Sequence, residues 1–95
     1  MIKININKDE ITIKGHSGYS EHGSDIVCAS VSSICITTVN ALLSIDEDCV
    51  IYEENDGYLN IKINKHNEVI DKLIDNMIAL LKELEKQYKK NIEIR

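Results

Sequence analysis

One pair of side chains in this sequence matches a nucleophile to a base: Cys28 and His16, twelve residues apart. A thiolate attacks carbonyl carbon, and an imidazole within hydrogen-bond reach takes up the proton and returns it to a leaving amine. Asp25 reads as a helix N-cap, with Ser24 as the competing choice, so Cys28 falls in the first turn of the helix that follows. Unsatisfied N–H groups and the helix dipole at that end favour a thiolate. The same N–H groups are candidates to hold a developing oxyanion. Asp25 pushes the other way unless it is engaged as a cap or turned toward a histidine. His16 opens the stretch GHSGYSEHGSD, which holds Gly15, Gly18 and Gly23, three of the four glycines in the chain. That stretch has no hydrophobic period and reads as a loop that carries function.

The remaining candidates have plainer readings. Cys35 lies two helical turns beyond Cys28 on the same stripe, and both it and Cys49 read as core. His22 is a second possible base, but it sits mid-loop between Glu21 and Gly23, where a solvated histidine is the simpler reading. His66 precedes the last helix and is expected to be exposed. Tyr19 reads equally as a loop anchor or a substrate contact. A zinc site from His16, His22 and Cys28 lacks a fourth ligand and has long spacings, so no metal or other cofactor is expected. Residues 46–61 contain Asp46, Glu47, Asp48, Glu53, Glu54 and Asp56 with no basic residue, which reads as a solvated, protected edge. Docking of a basic partner is the second reading of that run.

The elements that must position the pair follow from hydrophobic periodicity. Ile2, Ile4 and Ile6, then Ile11 and Ile13, alternate with polar residues and predict a hairpin turning at Lys8-Asp9. Residues 26–44 predict a helix without a single charge. Residues 48–63 predict a second hairpin, with Asp56-Gly57 as its turn. Residues 67–89 form the clearest amphipathic helix, and Ile92 to Ile94 a short closing strand. The expected fold class is α+β: a two-layer sandwich with a mostly antiparallel sheet packed against two helices.

Composition bounds the function. The chain has 95 residues, the size of one domain, and no proline, tryptophan or phenylalanine, so its core must be aliphatic. A net charge of −5 lacks the footprint of a phosphate binder. Three cysteines without a CxxC pair argue against a disulfide framework and for a reducing, cytoplasmic setting. The N-terminus has no signal-peptide core. The uncharged run from Ile26 to Ile45 is long enough to span a bilayer. Its many Ser, Thr and Asn residues instead predict a helix buried on more than one side, against the sheet and against the second helix or a partner subunit.

The stretch Gly15-His16-Ser17-Gly18-Tyr19, then Gly23, Asp25-Ile26-Val27-Cys28-Ala29 and Ser32, resembles the signature of the bacterial ribosomal-processing cysteine protease family, Prp. The order of hairpin, loop, helix, hairpin and helix resembles that family over essentially the whole chain. The resemblance implies a dyad of Cys28 and His16. It implies support from Asp25 and Ser32, and a loop shaped by Gly18 and Tyr19 that moves about Gly23. The implied activity is removal of the N-terminal extension of large-subunit ribosomal protein number twenty-seven, by a homodimer. The alternative is a non-enzymatic, ribosome-associated module that holds a basic protein on its acidic edge.

Overall fold

The computed structural model describes residues 1–21 and 25–95. The elements are β1 (Ile2–Ile6), β2 (Glu10–Lys14), α1 (Ile26–Ile45), β3 (Val50–Asn55), β4 (Tyr58–Ile63), α2 (Glu68–Gln87) and β5 (Ile92–Ile94). They build one sheet in the order β3-β4-β2-β1-β5, covered on one face by the helices. The strand pairs are antiparallel except β1 with β5, which is parallel. The parallel pair follows from topology, because α2 carries the chain back across the sheet before β5 starts.

Register turns the isoleucine alternation into a core. Ile4 stands opposite Ile13, Ile11 opposite Ile61, Ile13 opposite Leu59, and Val50 opposite Ile63. These residues are buried under the helices. A one-residue slip would expose them all. On the other face, Asn60 donates to Glu10 Oε2 at 2.9 Å and to Thr12 Oγ1 at 3.0 Å.

The two helices are held by different means. α2 is amphipathic, buries Ile70, Ile74, Met77 and Leu81, and is capped by Asn67, whose side chain accepts from Ile70 N–H at 2.9 Å. Glu68 and Asp71 at its start and Lys86 at its end suit the helix dipole. α1 has no charge in either end turn and depends on its cap, Asp25, and on tertiary packing. Val27, Val31, Cys35, Val39 and Leu42 form its buried stripe. The sheet and α2 cover that side, while Ser32, Ser33, Thr37, Asn40 and Ser44 face outward. A helix without charges is thus not apolar all round. Its hydroxyls bond back to its own backbone, as Ser30 does to the Ile26 carbonyl at 2.7 Å and Thr38 to Ile34 at 2.9 Å.

Candidate active site

Three segments enclose a cleft of about 400 Å³: the loop after β2, the first turns of α1, and the tip of the β3–β4 hairpin. His16, Cys28 and Ser32 line it together, facing Glu54 to Leu59 of the hairpin. The twelve-residue separation in sequence therefore closes to one cavity in space.

Asp25 builds the helix side of the cleft. It is buried, at 7 % exposure, with extended backbone suited to an N-cap. Its Oδ1 accepts the N–H groups of Val27 at 2.9 Å and Cys28 at 3.0 Å. Its Oδ2 accepts the hydroxyl of Ser17 and the N–H of Ser20, the latter at 3.3 Å. Burial pushes this carboxyl up, but the Ser17 hydroxyl and the three backbone N–H groups outweigh it and bring it down to about 2. The carboxylate that precedes the thiol on the helix is therefore engaged as its cap.

The expected oxyanion donors do not survive this geometry. The Val27 and Cys28 amides are occupied by Asp25 Oδ1, and the Ala29 amide bonds to the Asp25 carbonyl at 3.1 Å. The capping that starts the helix takes up these first-turn donors.

The loop side is organised by Ser17, which sequence reasoning passed over as the variable position of the GHxGY motif. Ser17 is buried at 2 % exposure. Its N–H donates to Cys28 Sγ at 3.3 Å and its hydroxyl donates to Asp25. Its Oγ accepts from Tyr19 N–H at 3.1 Å, and its carbonyl accepts from Asn91 Nδ2 at 3.0 Å. His16 is held one residue from a group that touches the sulfur. Its ring lies against the hairpin turn, where a β-carbon on Gly57 would stand 2.9 Å from Nε2. Gly57 has φ +68 and accepts the Gly15 N–H at 2.8 Å, so it joins loop to hairpin. No local signal marked Asn91; Gly57 was legible as a turn residue but not as a neighbour of His16.

The other candidates fall as follows. Gly18 takes φ +73, a bend that favours glycine. Tyr19 is half exposed and stands edge-on to Tyr88 with ring centroids 5.5 Å apart. Ser32 is exposed at the cleft wall. Gly23 and His22 lie outside the described residues. Cys28 is half-buried, while Cys35 and Cys49 are buried. Burial pushes Cys35 up to about 12 and also raises Cys49, with help from the Asp46 charge. Among the described residues no cluster of three His, Cys, Asp or Glu side chains could hold a metal ion.

A half-buried thiol and an imidazole in one cleft, on an α+β sandwich, are the equipment of a cysteine peptidase. The family model described as cysteine protease Prp matches residues 1–93, and the chain belongs to that family. The ribosomal processing cysteine protease Prp of Bacillus subtilis (strain 168) is 30% identical over 87 residues, which is 84% of this chain and 78% of that protein. The Staphylococcus aureus (strain Mu50) protein of the same name is 27% identical over 88 residues, 90% of this chain and 83% of that one. A crystal structure of the S. aureus protease with a covalently linked product peptide superposes with a TM-score of 0.85. It is 25% identical and covers 99% of this chain and 95% of that one. The chain is thus a cysteine protease of the ribosomal-processing family, as its motifs implied, and it has the α+β architecture that periodicity predicted.

Proposed function

We propose that Cys28 and His16 are the dyad of an endopeptidase that removes the N-terminal extension of large-subunit ribosomal protein number twenty-seven. The observation that carries this reading is the shared cleft, in which Cys28 Sγ is held by the residue next to His16. His16 takes the Cys28 proton, and the thiolate attacks the scissile carbonyl. The tetrahedral adduct collapses to a thioester as His16 gives the proton to the leaving amine. Water, deprotonated by His16, then releases the acyl fragment. Asp25 and Ser32 support the site from α1, and Gly18 and Tyr19 shape the loop beside it. The covalently linked product peptide on the S. aureus relative agrees with a covalent route. The reading includes a cytoplasmic homodimer that needs no cofactor.

The test is cleavage of a synthetic peptide spanning the extension boundary, followed by mass spectrometry. Cys28→Ala and His16→Ala each abolish cleavage on this account. Unchanged turnover by the Cys28 variant overturns it.

A further inference from the structure

Acyl transfer generates an oxyanion, and the first-turn amides nearest Cys28 are committed elsewhere. Val27 and Cys28 N–H serve Asp25 Oδ1, and Ala29 N–H serves the Asp25 carbonyl. Using them would require breaking the cap of α1. The Ser17 N–H is directed differently: it points at the sulfur itself, 3.3 Å away.

We propose that the main-chain N–H of Ser17 is the oxyanion donor of this site, and that the Ser17 side chain is the positioning group that aims it. The assignment rests on Cys28 being the nucleophile. When the thiolate attacks, a C–S bond forms and the carbonyl π pair moves onto oxygen. That oxygen is two bonds from Sγ, so a donor already on Sγ reaches it with little movement. When the adduct collapses, the pair returns to the carbonyl, the C–N bond breaks, and His16 protonates the amine. The donor costs little reorganisation because residue 17 is fixed from several sides. Its hydroxyl is tied to Asp25 and accepts from Tyr19 N–H, and its carbonyl is held by Asn91. Glycines at 15 and 18, with φ +97 and +73, turn the chain sharply on either side. A fixed donor aimed at developing charge is what stabilises such a transition state.

The chain is short enough for chemical synthesis by ligation at its own cysteines. Replacing Ser17 by its α-hydroxy analogue turns the His16–Ser17 amide into an ester and deletes one N–H. The ester protein should lose on the order of 10²–10³-fold in kcat against the extension-boundary peptide, with KM unchanged. It should lose affinity for the matching peptide aldehyde in parallel, because the thiohemiacetal needs the same donor. A kcat within about twofold of the native synthetic chain overturns the assignment. A native synthetic chain that cleaves nothing overturns instead the nucleophile reading beneath it. Should the ester chain fail to fold, Ser17→Ala and Ser17→Thr decide. A fall of about tenfold in kcat with weaker aldehyde binding for Ala, restored by Thr, upholds the positioning role. Three equal activities remove it.

Discussion

The hydroxyl of Ser17 donates to the carboxylate of Asp25, and so ties the loop that carries His16 to the helix that carries Cys28. The same carboxylate caps that helix through Val27 and Cys28 N–H. One buried carboxylate therefore fixes two of the three walls of the cleft, the loop and the helix.

That bond has a pH signature. Asp25 titrates at about 2 in the fold against an ordinary 3.8, so its contribution is complete above 3.8 and is lost as pH falls toward 2. Ser17→Ala removes the strongest of the bonds that lower it. The variant is expected to be less stable than the native chain near neutral pH. The difference should close as pH falls through this window. Urea unfolding at about pH 6 and about pH 2.5 checks it. A difference that does not change with pH would contradict it.

Gly57 sits where the fold and the site meet. Alanine there pays about 1–2 kcal/mol for its left-handed backbone, and its β-carbon would stand 2.9 Å from His16 Nε2. The ring is the part that can move, so it must shift. Gly57→Ala is expected to lower kcat/KM on the order of 10²-fold through a misplaced imidazole. Thermal unfolding measured beside kinetics separates the two effects. Full activity in a folded variant would show that the ring position is immaterial.

His66 bridges the first hairpin to α2, 2.6 Å from Asp9 and 2.7 Å from Asp71. Its bonds to Asp71 and Asp9 raise its pKa above the usual 6.5. The sign is opposite to that of Asp25. The stabilisation is complete below 6.5 and is lost as pH rises through the raised value. His66→Gln is expected to be destabilising near pH 6, with the difference from the native chain shrinking by about pH 9. Chemical denaturation at both values measures it, and catalysis should be unaffected.

The two hairpins and both helices were legible because their signals are local: isoleucines at period two, apolar residues at helical spacing in residues 69–88, and Asp56-Gly57 as a turn. Asp25 was legible as a cap for the same reason. The support of the site was not. Asn91 reaches Ser17 across 74 residues, and Gly57 meets His16 from another hairpin. No periodicity encodes such contacts. The first-turn amides, candidates for the oxyanion by their place on the helix, are bonded to Asp25, because an N-cap takes up the donors that a helix start offers. Tyr88 fitted the apolar stripe of α2, yet it is the C-cap residue and touches Tyr19.

The most direct test of Cys28 as the nucleophile is the site of covalent capture. The native protein is incubated with the extension-boundary peptide ending in a chloromethyl ketone, then digested and mapped by mass spectrometry. The predicted result is one adduct on Cys28, absent in Cys28→Ala, with buried Cys35 and Cys49 unmodified. An adduct on Cys35 or Cys49, or none on the folded native chain, would contradict the assignment.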